Sequence, residues 1–419
     1  MPSEITNGTR PDPDRVVLLH DYSEALGGAS YLVQVLTGQL RARGIPVTFI
    51  AGDQGHNFQR NDVEFLPLGG SDLLSRSRLD ALTTGLYFGH ARSQVGDWIA
   101  RNDTPRTVYH LHGWSKILTP AVFAALRRVA PRLILHAHDY FNCCPNGAFF
   151  NYRTEEDCPL VPLSAACLRS QCDKAGYGQK LWRSAREGLR RGLQGGLANA
   201  NRMVLIHPGQ ADNFRLGQWP AAKLCPVRNP VTPPCTARVA AEANRSVLFI
   251  GRISAEKGAD LAARATAKAG LPITFVGDGD QMEQIRALNP DATFLGRQDR
   301  AGVARALAEA RIAVMPSRWS EPFGLVAVEA IGSGVPVVVS NRALMAHEIA
   351  QCGFGVAADT SDIDAFAAAL SRLSADDAQI KTMSEAGHAR YLDLCNTEES
   401  WTDAIMSHYR DVIASAPKA

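Results

Sequence analysis

Several features that would narrow the class of this protein at once are missing from its sequence. No stretch approaches the roughly 18 consecutive apolar residues of a transmembrane helix, and residues 1–15 lack the apolar core of a secretion signal. We therefore expect a cytoplasmic protein whose nine cysteines are mostly reduced. The G-x-G-x-x-G fingerprint of dinucleotide-binding domains is absent. Basic clusters with interleaved aromatic residues are also lacking, so nucleic acid is not an expected partner.

The composition that remains is typical of a globular protein with a large core. The chain has 419 residues, of which 46% are apolar and 21% charged, and this length predicts two to three domains. Residues 1–230 hold 26 Lys and Arg against 19 Asp and Glu, and the remainder holds 18 against 23. A basic first half suits an anionic partner, such as a lipid phosphate, a phosphorylated acceptor or a membrane surface. An uneven spread of solvated charge without any partner is the alternative.

Short apolar runs alternate with segments of helical period along the chain. Such runs predict parallel strands buried on both faces, and therefore doubly wound α/β units. The runs form two series, at 15–20, 46–51, 107–112, 131–139 and 203–207, and then at 246–251, 273–279, 292–296, 312–317 and 335–341.

A proline-rich segment at 229–246 separates the two series. We expect two Rossmann-like domains, 15–228 and 247–396, that face a central cleft in which ligands bind at the carboxyl ends of the strands. Residues 1–14 are predicted to be disordered. Residues 397–419 are predicted to form a helix that packs back on the first domain.

The most informative motif follows the run at 312–317 and reads SEPFGLVAVEA at 320–330. Gly324 allows close backbone approach where a helix begins, and the first N–H groups of that helix form an anion site. Glu321 in the loop and Glu329 in the helix offer acceptor oxygens that suit the hydroxyls of a sugar and a ribose. An acidic first turn that complements the helix dipole is the alternative.

A second motif, GRISAEKG at 251–258, directly follows the strand at 246–251. Arg252 and Lys257 lie where a strand hands over to a helix, so two cations could neutralise a diphosphate leaving group without a divalent metal. Surface Arg and Lys are common, and either residue alone would be unremarkable. Together with the acidic loop they indicate a site for a nucleotide-diphosphate sugar.

These two motifs resemble those of the large retaining glycosyltransferase family GT4, which has the GT-B fold. The resemblance extends from about residue 15 to residue 410 and implies a role for each matching residue. Arg252 and Lys257 would bind the diphosphate, Glu321 the transferred sugar and Glu329 the ribose, while Phe323, Gly324 and Leu325 would offer backbone N–H groups, and Gly277 and Arg297 would lie near the nucleotide base. It also implies front-face transfer with retention, in which the donor phosphate takes the acceptor proton, no metal is required and Glu321 is not a nucleophile.

The first domain carries the other half of the expected site. Gly27 and Gly28 permit a tight turn after the first strand, and the resemblance places this loop near the donor phosphate and the acceptor. Histidines cluster at the predicted strand ends, and the resemblance places His138 near the transferred sugar. Asp139 is expected either to orient His138 or to meet the acceptor, and His112 is a second acceptor residue. Strand histidines more often fill a core than bind a ligand.

Five of the nine cysteines lie between residues 141 and 178, in a segment that departs from the α/β pattern. Cys144, Cys158, Cys167 and Cys172 could hold a structural zinc that orders an insertion. Their spacing lacks the C-x2-C pairs of strong zinc motifs, and unligated thiols are the alternative.

The basic segment 179–197 is predicted to be helical, with Leu181, Trp182 and Leu189 near one face. Such a helix could lie on anionic lipid beside a lipid-linked acceptor. The alternative is a helix that packs on the first domain.

Two other functions fit the same motifs. One is a hydrolase or epimerase of sugar nucleotides, and the other is a binding subunit that has lost transfer. The motifs leave open which nucleotide sugar is the donor and whether the acceptor is a glycan or a lipid-linked sugar. Family habit favours cell-envelope or exopolysaccharide synthesis.

Overall fold

The computed structural model describes residues 11–417 and divides them into two compact units. One unit takes the residues up to Gly147, then Pro159–Val227 and the residues from Glu398 onward. The other takes Ala148–Cys158 and Arg228–Thr397. Of the predicted disordered segment 1–14, residues 1–10 lie outside the described part of the chain.

Fifteen strands occur within the described residues. In chain order they are β1 (Arg15–His20), β2 (Val47–Ala51), β3 (Glu64–Pro67), β4 (Thr107–Leu111), β5 (Leu133–Ala137), β6 (Phe150–Asn151), β7 (Glu156–Asp157), β8 (Arg202–Leu205), β9 (Leu224–Pro226), β10 (Ser246–Ile250), β11 (Ile273–Val276), β12 (Thr293–Gly296), β13 (Ala310–Met315), β14 (Val337–Ser340) and β15 (Gly355–Ala358).

The α-helices of the same residues connect these strands. They are α1 (Gly28–Ala42), α2 (Arg78–Thr84), α3 (Gly89–Asn102), α4 (Ala121–Leu126), α5 (Ala165–Arg169), α6 (Tyr177–Gln194), α7 (Gln210–Leu216), α8 (Ala259–Ala269), α9 (Met282–Leu288), α10 (Arg300–Ala308), α11 (Leu325–Gly332), α12 (Ala346–Gln351), α13 (Ile363–Ser374), α14 (Asp377–Arg390) and α15 (Glu398–Ser415). None of the helices within residues 11–417 combines the length and apolar character needed to cross a bilayer.

The first unit is built on a seven-stranded sheet in the order β3-β2-β1-β4-β5-β8-β9, with all neighbours parallel. The central strands β1, β4 and β5 are buried almost throughout, as parallel strands covered on both faces should be. The C-terminal helix α15 lies in this unit, where Trp401 and Tyr409 are fully buried in the core under β1 and β2.

The second unit repeats this plan with six parallel strands in the order β12-β11-β10-β13-β14-β15. Helix α8 presents small side chains to the sheet, and Ala259, Ala262 and Ala263 are fully buried against residues such as Phe249 and Phe275. The fold class predicted from the sequence, an α/β protein with two Rossmann-like domains, is therefore confirmed.

Two segments lie elsewhere than the sequence pattern suggests. The short antiparallel hairpin β6–β7 comes from the cysteine-rich insertion, which we expected wholly in the first domain, yet residues 148–158 cluster with the second unit. Polar contacts explain this placement, because Arg318 donates to Glu155 at 3.1 Å and Ser320 donates to Asp157 at 2.9 Å. The proline-rich segment 229–246 is also packed in the second unit, where Pro230 bridges to Asn396.

Candidate functional site

The start of α11 has the geometry that the SEPFGL motif predicts. Gly324 is the residue before the helix and has a φ of +72°, in the left-handed region that favours glycine. A Cβ atom at this position would lie 2.7 Å from the sulfur of Met315. Both the backbone conformation and this close contact therefore disfavour any residue other than glycine. Leu325 and Val326 are the first helical residues, and their N–H groups have no partner within the helix. These groups can bind an anion.

Lys257 and Glu321 form an ion pair. The sequence predicts that Lys257 binds the diphosphate of the donor and that Glu321 binds its sugar. Lys257 Nζ lies 2.6 Å from Glu321 Oε2, and both side chains are largely buried. Ser317 Oγ and Trp319 Nε1 each donate to the same carboxylate oxygen at 3.1 Å. Three donors therefore fix the position of Glu321.

A glycine brings the two loops of this ion pair together. Gly258 follows Lys257 with a φ of +69°, and a Cβ atom there would lie 2.1 Å from the carbonyl oxygen of Pro316. The loop after β10 thus packs directly against the loop after β13. This contact accounts for the glycine at the end of the GRISAEKG motif.

Arg252 lies on the same loop but outside the ion pair. Its side chain is 66% exposed, and the nearest carboxylate oxygen, from Glu256, is 3.9 Å away. An exposed guanidinium with such a loose partner can turn toward a diphosphate at little energetic cost.

Glu329 lies on the first turns of α11, partly buried, with a perturbed acidity. Burial raises its pKa to about 7, while the charge of Arg300 acts in the opposite direction. The carboxyl group is therefore close to half ionised at neutral pH, a state often found at functional sites.

The residues predicted to lie near the base are less informative. Gly277 has a φ of +132°, and a Cβ atom there would lie 1.9 Å from the carbonyl oxygen of Gly251, so close packing of two backbones explains this glycine without a ligand. Arg297 is exposed directly after β12. Phe323 is buried, with 3% exposure, which leaves its backbone as the part available to a ligand.

In the first unit, the histidines at the ends of β4 and β5 form a hydrogen-bonded and stacked group. His112 Nδ1 lies 3.1 Å from His138 Nε2, and the rings of His136 and His138 stack at 4.3 Å. His136 Nδ1 lies 3.2 Å from His110 Nε2. His110 Nδ1 lies 2.7 Å from the hydroxyl group of Tyr409 on α15. The sequence placed these histidines at one sheet edge but did not reveal that they contact one another.

Burial controls the charge of this histidine group. It lowers the pKa values of His110, His112 and His138 well below their usual range, with neighbouring histidines adding to the effect, and lowers the pKa of His136 to about 3. These imidazoles are therefore neutral at pH 7 and offer one donor and one acceptor each.

The same group contains the described residues best placed to hold a metal ion. Ligand atoms of His110, His112 and His136 lie within 4.8 Å of one another, and Nε2 of His112 and of His136 has no hydrogen-bond partner among the described residues. The rings of His112 and His136 stack at 4.8 Å, however, whereas ligands of one ion converge on it in their ring planes. The stacked rings therefore do not have the orientation expected of ligands of one ion, although these two Nε2 atoms have no partner among the described residues.

Asp139 Oδ1 accepts from the backbone N–H of Phe141 at 2.9 Å, whereas the described partner of His138 is His112, and the role of Asp139 stays a prediction. Burial raises its pKa to about 6, with the backbone bond and Lys116 acting against this effect. Gly27 and Gly28 are exposed at the start of α1, and a Cβ atom at Gly27 would meet nothing within 4 Å.

Asp21 is a buried residue that sequence reasoning missed. Its two carboxylate oxygens accept from the backbone N–H groups of Lys116, Ile117 and Leu118 at 2.8–2.9 Å. This aspartate fixes the loop after β4 beside the histidine group. Its position directly after β1, at the carboxyl end of a parallel strand, was the available signal.

The four cysteines proposed for zinc have other partners. Cys167 Sγ accepts from Lys180 at 3.2 Å, and Cys144 Sγ donates to Asn146 at 3.1 Å. Cys144, Cys167 and Cys172 belong to the first unit and Cys158 to the second. Among the described residues no trio of these sulfur atoms meets the mutual distance expected of ligands that share one ion, and the zinc site stays a prediction.

Helix α6 lies in the first unit with its charged side inward. Arg190 is fully buried and donates to Glu187 at 2.7 Å, and Arg186 is 5% exposed. Leu181 is 44% exposed. Of the two predicted arrangements, the helix packs on its own domain, but its buried face is the polar one.

Comparisons with known proteins define the fold first. Sucrose-phosphate synthase from Thermosynechococcus elongatus superposes with a TM-score of 0.72 at 19% identity, covering 96% of this chain and 100% of the other. Anabaena HepE in complex with UDP gives 0.65 at 16% identity, covering 95% and 100%. At such identities the likeness shows the fold, which is GT-B as the resemblance implied.

The sequence comparisons then give the family. Residues 237–390 match the family described as glycosyl transferases group 1. D-inositol 3-phosphate glycosyltransferase of Mycobacterium marinum is 32% identical over 233 residues, which are 52% of this chain and 46% of that protein. The chain thus spans about half the length of the curated relatives it matches. Residues 237–390 are therefore similar to a group 1 glycosyltransferase domain, and this match supports the resemblance to GT4 over that part of the chain.

Proposed function

We propose that this protein is a retaining glycosyltransferase that moves a sugar from a nucleotide-diphosphate sugar to a glycan or lipid-linked acceptor. The observation that carries the proposal is the ion pair of Lys257 with Glu321 at 2.6 Å, next to the free N–H groups at the start of α11. A cation, a carboxylate and a helix N-terminus in one place match the charges of a diphosphate and the hydroxyls of a sugar.

The second unit binds the donor in this proposal. Lys257, Arg252 and the first N–H groups of α11 stabilise the negative charge that develops on the leaving diphosphate. Glu321 accepts a hydrogen bond from a hydroxyl of the transferred sugar, and Glu329 accepts hydrogen bonds from the ribose hydroxyls. The UDP named with the HepE structure and the match of residues 237–390 to the glycosyl transferases group 1 support this assignment.

The reaction needs no metal in this proposal. The bond between the sugar carbon and the diphosphate oxygen breaks, the acceptor oxygen forms a bond on the same face, and its proton passes to the leaving phosphate. Positive charge from Arg252 and Lys257 takes the place that a divalent cation has in other phosphate sites. The tethering of Glu321 by three donors supports a binding role rather than a nucleophilic one.

The first unit binds the acceptor. His138 and His112 are neutral, so they can donate and accept hydrogen bonds to acceptor hydroxyls without adding positive charge. Asp139, with its pKa raised to about 6, lies next to His138 in the chain. We further propose that the enzyme works in the cytoplasm, at or near the inner membrane surface, in polysaccharide or envelope synthesis.

The test is a turnover assay with UDP-, GDP- and ADP-sugars in the presence of EDTA. Release of the nucleoside diphosphate from one donor class, with an α-configured product from an α-configured donor by NMR, is the expected result. A β-configured product would refute retention. No release from any donor, with or without acceptor extracts, would leave only a binding role for the domain.

A further inference from the structure

A cavity of about 650 Å³ lies in the first unit, apart from the histidine group. It is lined by α2, α6 and the loop after β4. Its volume is in the range of small-molecule sites, roughly 300–1,000 Å³. Neither the sequence motifs nor the proposed donor site accounts for it.

A buried cation with unused hydrogen-bonding capacity forms part of the cavity wall. Arg186 is 5% exposed, and its Nε donates to the carbonyl oxygen of Gly85 at 2.8 Å. Its terminal nitrogen Nη2 is buried and has no hydrogen-bond partner among the described residues. The rings of Trp114 and Trp182 lie 5.0 and 5.5 Å from the guanidinium carbon. An unmatched N–H in such a place is unfavourable unless a ligand accepts from it.

The charged residues that line the cavity are all basic. Arg76, Lys116 and Arg183 line it together with Arg186, and none of its lining residues is acidic. Arg76 and Arg183 have carboxylate partners outside the lining, at 3.3 and 3.2 Å. Burial lowers the pKa of Arg186 to about 10; the attraction of Asp21 opposes the shift and the nearby Arg183 adds to it. The cavity therefore favours an anion.

The rim of the cavity is apolar and open to solvent. Leu74 is 85% exposed and Leu82 46% exposed, and both line the cavity. Leu181, the residue of α6 before the lining residue Trp182, is 44% exposed. Because α6 turns several charged side chains inward, Leu181 remains at the surface. Exposed leucines grouped at the rim of a pocket are a feature of surfaces that bind apolar ligands.

We propose that this cavity binds the anionic head group of a single lipid-linked acceptor, with a phosphate or diphosphate against Arg186 and the alkyl chain along Leu74 and Leu82. The phosphate oxygens accept from the unmatched N–H groups of Arg186, a charge-assisted contact. The alkyl chain of the acceptor covers the exposed leucines and removes them from water. This inference rests on the proposed glycosyl transfer for the role of acceptor, while the binding itself can be tested alone.

The test measures binding of decyl phosphate to the full-length protein by isothermal titration calorimetry, below its critical micelle concentration. Decyl glucoside, with the same chain and no charge, and inorganic phosphate, with no chain, are the comparison ligands. We expect decyl phosphate to bind at least about tenfold more tightly than either. Equal affinities for decyl phosphate and decyl glucoside would overturn the proposal.

Two variants locate the binding. Leu74→Ala should weaken decyl phosphate about three- to tenfold. Leu79→Ala is the matched control, since Leu79 is 79% exposed in the same region but does not line the cavity. Arg186→Gln should abolish the preference for decyl phosphate over decyl glucoside, and its melting temperature shows whether it folds. If Leu74→Ala and Leu79→Ala behave alike, the cavity is not the site.

A bilayer surface is the competing occupant. If the protein sediments with phosphatidylglycerol vesicles but does not bind monomeric decyl phosphate, the surface contacts a membrane and not a single acceptor. This result would overturn the proposal. Nucleotide-sugar binding, measured on the same samples, reports on the proposed function separately. Decyl phosphate binding without any nucleotide-sugar binding would retain the anionic lipid site and remove the transferase.

Discussion

The two units have the same scaffold but carry opposite kinds of chemistry at the carboxyl ends of their strands. Both sheets are parallel and share the order 3-2-1-4-5-6 in their first six strands. In the second unit the strand ends carry charges that are paired or exposed, such as Lys257 with Glu321 and the 66% exposed Arg252. In the first unit they carry a buried group of neutral histidines, and the buried cation with an unpartnered nitrogen, Arg186, lies on helix α6 instead.

This difference shows how one topology can divide two tasks. In the proposed reaction the diphosphate leaving group needs fixed positive charge, which Arg252 and Lys257 of the second unit would supply from one loop that Gly258 packs against the loop after β13. In the same proposal the acceptor needs hydrogen bonds, which the neutral histidine group of the first unit would supply. The scaffold therefore sets where ligands bind, and the loop residues set which ligands these are.

The largest effect should come from breaking the ion pair of the second unit. Lys257→Ala should lower kcat/KM about 100- to 1,000-fold, because the leaving diphosphate loses its main fixed cation. Steady-state release of the nucleoside diphosphate measures this. Lys268→Ala is the control, since Lys268 is an exposed lysine of the same unit paired with Asp364. Equal activity of the two variants would contradict the role of Lys257.

The second prediction concerns the ionisation of Glu329, which should change donor affinity about tenfold between pH 8 and pH 6. With a pKa of about 7 for Glu329, its ionised fraction falls by about a factor of ten between pH 8 and pH 6. Donor affinity should fall by a similar factor, because a protonated carboxyl offers the ribose fewer acceptors. Titration calorimetry of the nucleoside diphosphate at both pH values measures this. Glu329→Gln should bind more weakly and show no such pH dependence.

Ionisation of Glu329 should lower the stability of the fold, although it strengthens donor binding. Its pKa is higher in the folded protein than in the unfolded chain, so the folded state holds more protons between about pH 4.5 and pH 7 and loses stability as pH rises through that window. Glu329→Gln should therefore raise the free energy of unfolding at pH 8 by about 1–2 kcal/mol. A destabilised Glu329→Gln protein at pH 8 would argue that the ionised carboxylate has a partner in the fold.

The last prediction concerns the histidine group of the first unit and affects stability only. Burial lowers the pKa of His136 to about 3, so below pH 6.5 the unfolded chain binds a proton that the folded state does not. Stability is then lost as pH falls, by about 1.4 kcal/mol per pH unit for each such histidine. In urea unfolding at pH 5 and pH 7, His136→Gln should show a weaker pH dependence than the wild type. His347→Gln, at an exposed histidine of the second unit, should not.

Much of the fold could be predicted because strong apolar runs specify central strands. Each of the ten predicted runs overlaps a strand, from β1 to β14. The strands that were not predicted are β3, β9, β15 and the β6–β7 hairpin. β3 and β9 are edge strands with exposed or half-buried residues, and β15 begins with a glycine, so their sequences carry little β pattern.

The site was predictable where chemistry is local in the sequence. The helix start at Leu325 followed from its glycine, whereas the pairing of Lys257 with Glu321 joins residues 64 positions apart and depends on the packing of Gly258 against Pro316. The orientation of α6 also escaped prediction. An apolar face usually turns inward, but here the pair of Glu187 with Arg190 takes the buried face.

The measurement that tests the central claim most directly is a thermal-shift panel of UDP-, GDP- and ADP-sugars, with and without EDTA, on the wild type and on Lys257→Ala. Binding to the folded state raises the melting temperature by mass action. We expect one nucleotide class to raise the melting temperature of the wild type, to do so equally in EDTA, and to lose the effect in Lys257→Ala. An unchanged melting temperature with every nucleotide sugar, or equal shifts in both proteins, would contradict the assignment of the second unit as a metal-free donor site built on Lys257 and Glu321.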